Sequence, residues 1–299
     1  MMNILEELKK KFKNRLLFKE NLAKYSWFNI GGNAEVFFKP DNQEDLVFFL
    51  RQVQPKKITI LGAGSNTLIR DGGIDGITIK LGSGFSFTNL TSDGFIEAGG
   101  ASLDKKVADF AAENSIAGLE FLACIPGSIG GAIIMNSGCY DQDISKVLNS
   151  ITVIKKNGDE KIIQAKDIKF KYRGTNFVED LLITKVRLKG NKLSKSEILA
   201  KQEYLVSKKK EAQPTRIKTC GSTFKNTQDK KAWELIKQSG CDNFRVGNAR
   251  ISEKHCNFFV NEGQATAKDL EELITKVQQT VLEKTKISLE PEIKIIGKY

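Results

Sequence analysis

The stretch CGSTFKNT, Cys220 to Thr227, packs a hydroxyl, an ammonium and an amide into one short loop. Ser222 would act as a nucleophile only with a base to activate it, most often a histidine. The chain has one histidine, His255. Ser222 is therefore either ordinary loop chemistry or a group that gives up a proton rather than attacking. Two other groups could act on an anion. Arg173 in YRGT carries a guanidinium that is never neutral and grips a carboxylate through two hydrogen bonds, and Glu292 lies in EPEIKIIG. Taken alone, Arg173 reads as a surface charge and Glu292 as a strand-face carboxylate paired to Lys294.

Two glycine-bearing loops could hold a ligand. LGAGSN follows the strand KITIL, the context of a dinucleotide loop, but Thr67 stands where the third glycine of G-x-G-x-x-G belongs, so a Rossmann reading is poor. Gly62 and Gly64 still let backbone N–H groups turn toward an anion, with Ser65 and Asn66 as side-chain donors. The alternative is a tight strand-exit turn. The second loop, CIPGSIGGAIIMNSGCY, places Pro126, Gly127, Ser128, Gly130 and Gly131 just before an apolar run. That much glycine weakens a helix, and close backbone approach to a ligand is a reason to keep it. A turn leading into a closely packed helix is the plainer reading. Two such loops suit a long ligand with a diphosphate, such as FAD.

The composition sets bounds. The chain has 299 residues and a net charge of +11, enough length for two domains. The charge reads as a solvated lysine-rich surface or as the imprint of an anionic partner. No nucleic-acid motif appears, which favours a small molecule and no nucleic acid. No run approaches the roughly 18–20 apolar residues of a membrane span, and the N-terminus lacks the apolar core of a signal peptide. The five cysteines, Cys124, Cys139, Cys220, Cys241 and Cys256, are scattered with no C-x-x-C pair. That argues against a disulfide framework and against structural metal, and fits a reducing cytoplasm.

The elements that must position these groups can be read coarsely. Ile4, Leu8, Phe12 and Leu16 fall four apart, predicting an amphipathic helix over 1–20. Pro40 and the Asp41…Glu44 pair open a helix, and Ser102–Asn114 is another. Asn157-Gly158 turns a hairpin over 151–165. LLITKVRL is a strand, and a basic helix ending at Pro214 bridges into a second region. There, helices are expected near Ala232–Gln238 and over 267–284, strands within 245–260, and a closing strand in ISLEPEIKII. Without regular βαβ repeats, the class is α+β.

YSWFNIGG (25–32), LGAGSNTLIRDGGIDG (61–76) and GLEFLACIPGSIGGAIIMNSGCY (118–140) together resemble the UDP-N-acetylenolpyruvoylglucosamine reductase (UDP-N-acetylmuramate dehydrogenase) family. The resemblance continues through YRGT, GSTFKN, ARISEKHCNFFVN and LEPEIKIIG, from about residue 20 to 297. It implies an FAD-binding domain of the PCMH or vanillyl-alcohol-oxidase type over 21–190 and a substrate-binding domain over 201–297, whose final strand could return to the first. It implies noncovalent FAD, NADPH as cosubstrate, a UDP-sugar substrate carrying an enolpyruvyl ether, and a monomer in the cytoplasm. Covalent attachment of FAD has only Cys124 and Cys139 as candidates in that domain.

The resemblance also distributes roles. Arg173 falls at the family's catalytic arginine, Glu292 at its glutamate and Ser222 at its proton donor, which needs no histidine because it does not attack. Lys225 and Asn226 become candidates for the sugar-phosphate part, Tyr172 and Lys254 or His255 for lining the substrate site, and Lys209, Lys210 and Arg216 for the diphosphate, with a solvated basic face as the alternative for Lys208–Lys210. Thr227, Trp27 and Asn248 replace the usual proline, threonine and glycine. The short interval from Arg173 to Ser222 leaves no room for the capping-tyrosine insertion of the longer subclass, so the type II subclass is implied. The alternatives are another FAD oxidoreductase of this fold with a different substrate, or a noncatalytic basic binding module.

Overall fold

Leu5, Leu8 and Phe12 recur three and four residues apart, the spacing of one helix face, and all are buried along helix α1 (Met2–Phe12). The expected face is corrected by one member: Ile4 is 40% exposed and Leu5 takes its place. The helix is also shorter than 1–20. A 3-10 turn, Lys13–Arg15, follows it, and Leu16–Asn21 is a strand. This computed structural model describes residues 2–55, 57–176 and 181–299. Among these residues no helix is long and apolar enough to cross a membrane.

Contacts divide the chain into two compact units, each assembled from three stretches. The first comprises Met1–Phe18, Val36–Ala63 and Gly76–Lys209; the second comprises Lys19–Glu35, Gly64–Asp75 and Lys210–Tyr299. The loop LGAGSN is thus divided, with Gly62 in the first and Gly64, Ser65 and Asn66 in the second.

Helices α1 and α2 (Gln43–Val53) pack, through core residues of the first unit, on a sheet ordered Leu16–Asn21, Asn33–Phe38, Ile74–Ile79, Ile58–Ile60. Asn42, one residue beyond the expected start, caps α2 by accepting from the Asp45 N–H at 2.8 Å. Phe38 from the sheet stacks on Phe49 of α2 at 4.1 Å between centroids, with Phe12 at 4.8 Å from Phe38. A second sheet is antiparallel throughout, ordered Glu160–Gln164, Leu148–Lys155, Leu181–Leu188, Ile96–Gly99, Thr88–Leu90. The Asn157-Gly158 turn joins its first two strands as expected, with Gly158 at φ +85°. Helix α3 (Asp104–Glu113), the 3-10 turn Glu120–Cys124 and helix α4 (Ile129–Met135) share a core with this sheet through Val107, Phe121, Leu122, Ile129 and Ile133. Helix α5 (Lys195–Ala212) leads out of the unit.

The second unit is built around helix α7 (Ala267–Thr285). Leu270, Leu273, Ile274, Val277 and Val281 are buried on one face, as the spacing predicts. Thr266 and Asp269 form its capping box, and the Asp71 carboxylate accepts from the N–H groups of Ala267 and Lys268. Against α7 lie helix α6 (Ala232–Gln238), the antiparallel strands Arg245–Val246, Ala249–Ile251 and Phe259–Asn261, and Phe28, Leu68, Phe224 and Ile293. The closing strand is shorter than expected, Lys294–Ile296, and it pairs parallel with Thr67–Ile69. The fold class is α+β.

Phe49 carries the first core: it is fully buried and touches rings from both α1 and the sheet. Phe49→Ala is expected to lower the unfolding free energy by about 3–5 kcal/mol, read as a shift of the denaturant midpoint. A loss under about 1 kcal/mol would mean that this cluster collapses around the gap or contributes little.

Candidate active site

Arg173 sits at the tip of a tight hairpin in the first unit. Phe170 pairs with Thr175 and Lys171 with Gly174, so Tyr172 and Arg173 form the turn. Arg173 has φ +55°, a left-handed conformation that costs a non-glycine residue free energy and marks a position held for a reason. The hairpin is fastened to the end of α4. Asn136, buried and left-handed at the helix C-cap, donates from Nδ2 to Lys171 O at 3.3 Å, and Thr175 Oγ1 donates to Ile134 O at 3.2 Å. The guanidinium lies 5.1 Å from the ring of Tyr172, which is 52% exposed. So the helix that begins in PGSIGG ends on the hairpin that presents Arg173.

The glycines of that loop separate into two roles. A Cβ on Gly130 would come within 2.9 Å of Gly100 O, and the Gly130 and Ile129 N–H groups donate to Gly100 O and Ser102 O. The Gly127 N–H donates to Ile125 O. These N–H groups are therefore engaged within the protein. Gly62 and Gly131 differ: the nearest atom to an added Cβ is the Ser128 hydroxyl, at 3.0 and 3.5 Å. Close by, Lys80 Nζ donates to Gly62 O, and burial, then the charge of Lys39, holds its pKa below the usual lysine value. An ammonium partly withdrawn from water beside glycines and a serine hydroxyl fits an anion such as the diphosphate of FAD. Pro126 is exposed at the mouth of the loop. Lys209 Nζ donates to Cys124 O just before it, and burial lowers the lysine's pKa.

Ser222 and Glu292 come together in the second unit. Three segments run side by side there. Ser222 bridges Phe258, the Thr223 N–H donates to Asn257 O at 2.7 Å, and the Glu292 N–H donates to Thr223 O at 2.8 Å. Phe224 bridges Pro291, and the Lys225 N–H donates to Glu290 O at 2.9 Å. Gly221, at φ +79°, supplies the turn before Ser222 that only glycine makes without strain. Asn66 joins the group: its Nδ2 donates to Glu292 O at 3.1 Å, and its carbonyl accepts from the Lys294 N–H at 2.9 Å. Gly64 is required here for packing, because a Cβ would lie 1.8 Å from Tyr25 O. Ser65 is half-buried beside it.

The remaining candidates are placed as follows. Lys225 pairs with Glu290. Asn226 Oδ1 accepts from the Ala232 N–H at 3.0 Å at the start of α6, leaving its NH2 as the end that a ligand could use. Lys254 Nζ donates to Lys210 O at 2.7 Å, so it anchors the end of α5. Arg216 is exposed at φ +59°. His255 is packed against Phe258 at 4.8 Å and accepts from the Asn257 N–H at Nδ1. Thr227, in place of the family's proline, donates its N–H to Lys230 O and accepts from the Lys230 N–H through Oγ1, both at 3.0 Å. A proline could not make the first bond.

Asn257 is the residue that sequence reasoning missed. Its Oδ1 accepts from the Phe224 N–H at 2.9 Å and its Nδ2 donates to Phe224 O at 2.8 Å, so it completes both backbone groups of the loop carrying Ser222. The signal was a buried amide between Cys256 and Phe258-Phe259, since an amide inside an apolar run must find partners.

Comparisons with known proteins show the family. A model of the C-terminal domain of UDP-N-acetylenolpyruvoylglucosamine reductase matches residues 213–296, and an FAD binding domain model matches residues 34–163. A UDP-N-acetylenolpyruvoylglucosamine reductase from Pelagibacter ubique is 48% identical, covering 98% of this chain and 99% of the relative. One from Rickettsia bellii is 47% identical, covering 93% and 92%. The crystal structure of the Thermus caldophilus enzyme superposes with a TM-score of 0.82 at 30% identity, covering 94% of this chain and 98% of that one.

The surroundings of His255 generate a pH prediction. Burial disfavours the imidazolium, so the folded pKa lies below the ordinary value. The unfolded chain then takes up the proton first, and this part of the stability, complete above about pH 6.5, is lost as pH falls below it. His255→Gln removes that term, so its unfolding free energy should fall less than the wild type's between about pH 7.5 and 5. Parallel curves would assign the acid sensitivity to other groups.

Proposed function

The chain belongs to the UDP-N-acetylenolpyruvoylglucosamine reductase family, and from that premise we propose the following roles for its residues. The chain is an FAD-dependent oxidoreductase of peptidoglycan precursor synthesis, with UDP-N-acetylglucosamine enolpyruvate as substrate and NADPH as cosubstrate. When bound, FAD supplies hydride transfer, which side chains alone cannot perform. Ser128, Gly62, Gly131 and Lys80 would hold its diphosphate.

The protein's own groups manage charge and protons. Hydride addition at the terminal carbon of the enolpyruvyl ether leaves negative charge on the adjacent carbon, delocalised into the carboxylate. Arg173 binds that carboxylate and stabilises charge that grows toward the transition state, the kind of contact that raises kcat. Its strained turn fixes the guanidinium before substrate arrives. Ser222 Oγ gives its proton to the carbon. A serine is a weak acid, but it is matched to a strongly basic enolate-type centre when held close. Glu292 takes part as the protonated acid, because an ionised carboxylate beside a growing anion would oppose the reaction.

The observation that carries this assignment is the hydrogen bond from Glu292 N–H to Thr223 O at 2.8 Å, which holds the backbones of the two acids on neighbouring segments. Lys225 and the NH2 of Asn226 serve the sugar nucleotide, and Arg216 and Lys210 its diphosphate. Lys254 and His255 act behind them, holding the loop rather than the ligand. The same reading expects a monomer in the cytoplasm, which light scattering and cell fractionation check.

The function is tested on purified protein, which should be yellow, bleach with NADPH and recover colour with the enolpyruvyl sugar nucleotide. Ser222→Ala should bleach at the wild-type rate but recover about 10²–10⁴-fold more slowly. Equal loss of both phases would make Ser222 structural. Glu292→Gln should lower turnover and flatten one limb of its pH profile. Full activity with an unchanged profile would remove Glu292 from the chemistry.

A further inference from the structure

Successive N–H groups of a regular strand turn to opposite edges, yet those of Thr223 and Phe224 turn to the same residue. The Thr223 N–H donates to Asn257 O at 2.7 Å, and the Phe224 N–H donates to Asn257 Oδ1 at 2.9 Å. The chain is therefore kinked directly after Ser222, as in a β-bulge, a device that re-aims a side chain. A backbone partner alone cannot close such a kink, because one residue offers one carbonyl. Asn257 adds a second acceptor and a donor from its side chain, whose Nδ2 donates to Phe224 O at 2.8 Å. Toward residues 290–292 the pairing is regular: the Thr223 carbonyl and the Lys225 N–H flank the Phe224–Pro291 bridge. Asn257 is itself fixed, being 3% exposed with its N–H donating to His255 Nδ1 at 3.3 Å. Gly221, before Ser222, gives little constraint. It is at φ +79°, and a Cβ added there would meet nothing within 4 Å. The aim of Ser222 is thus set from its C-terminal side.

We propose that Asn257 is the positioning residue of the proton-delivery step, its amide holding the kink that aims Ser222 Oγ. The inference rests on the reading of Ser222 as proton donor and deepens it. Asn257 acts only through the Ser222 loop. It should therefore count when reduced flavin is reoxidised by the enolpyruvyl sugar nucleotide, and not when NADPH reduces the flavin, which takes no proton from Ser222. Misplacing a reacting group by about 1 Å costs about 10²-fold in rate. The amide also decides which replacements serve. Aspartate has nearly the same shape and keeps the acceptor for the Phe224 N–H, but when ionised it sets an oxygen against Phe224 O. Protonated, it regains a donor. Leucine offers neither group.

The test is anaerobic half-reaction kinetics on the FAD-loaded enzyme and on its Asn257→Leu, Asn257→Asp, Ser222→Ala and combined Ser222→Ala, Asn257→Leu variants. Asn257→Leu should bleach with NADPH at the wild-type rate and recover colour about 10²-fold more slowly. In the Ser222→Ala background the same change should cost less than about threefold, because residues that act as a unit are not additive. Measured against wild type at each pH, Asn257→Asp should regain reoxidation rate as pH falls, and Asn257→Leu should not. A merely structural role would slow both half-reactions and add its full cost to that of Ser222→Ala. In the unaltered enzyme the Phe224 amide should exchange its hydrogen more slowly than the Gly221 amide, a readout that needs no variant to fold. The proposal is overturned if Asn257→Leu reoxidises at the wild-type rate or loses both phases equally, if its cost is fully additive with Ser222→Ala, if Asn257→Asp follows the pH profile of the leucine variant, or if the Phe224 amide exchanges as fast as that of Gly221. Wild-type reoxidation in Ser222→Ala would remove the proton-donor reading itself. Slow reoxidation in Ser222→Ala beside an unimpaired Asn257→Leu removes this inference alone.

Discussion

The peptide of Thr223 is the constraint on which the placement of Ser222 and Glu292 depends. Its N–H donates to Asn257 O and its carbonyl accepts from the Glu292 N–H, so one residue joins three segments that are remote in sequence. Thr223 is fully buried, as is Phe224 beside it, whose two backbone groups close on the Asn257 side chain. Each such bond is worth only about 1 kcal/mol net, but leaving a buried partner unpaired costs about 1–3. The arrangement therefore resists partial loosening. Ser222 inherits its position from this peptide: it precedes Thr223 by one residue and follows Gly221, whose left-handed φ sets the approach. Phe224 and Phe259, edge to face at 5.7 Å, fill the space beneath.

The first unit solves the matching problem for Arg173 with one buried asparagine. Asn136 ends α4 in a left-handed conformation, and its amide spans two neighbours, donating to Lys171 O and accepting from the Ser145 N–H. The helix, the hairpin and the following turn thus share one side chain. The left-handed φ of Arg173 is tolerated because the paired strands on both sides of the turn leave it no other conformation. A glycine at the other end of α4 serves backbone approach: Gly130 lets the segment that begins α3 lie against the loop.

Local order was legible in the sequence; distant pairing was not. The face of α7 and its Thr266 cap, the Asn157-Gly158 turn and the strand Leu181–Leu188 all follow from spacing and turn chemistry within a few residues. The candidate site was legible as motifs, since GSTFKN, YRGT and EPEIKIIG each hold a candidate group and its neighbours. What each motif pairs with was not. The parallel pairing of Thr67–Ile69 with Lys294–Ile296 leaves no local trace, because register lies in backbone hydrogen bonds that any apolar strand can make. For the same reason Asn66, read as a cofactor donor, has its amide nitrogen on Glu292 O. Lys254, read as a substrate contact, holds Lys210 O. Side-chain type announces what a residue can bond, and the fold decides which partner it meets.

The net charge of +11 divides along the same line. Most of it is exposed lysine, as on α1 and α5, and an exposed ammonium gains little from any single anion in water. Lys80 and Lys209 are different. Each is partly withdrawn from water, each has its ammonium on a backbone carbonyl beside a glycine-bearing loop, and burial lowers the pKa of each. Withdrawal from water raises the cost of each charge, so an anion would gain more beside either of them than beside an exposed lysine. The specific signal in a basic chain is therefore not the sum of its charges but the few cations that the fold takes out of water.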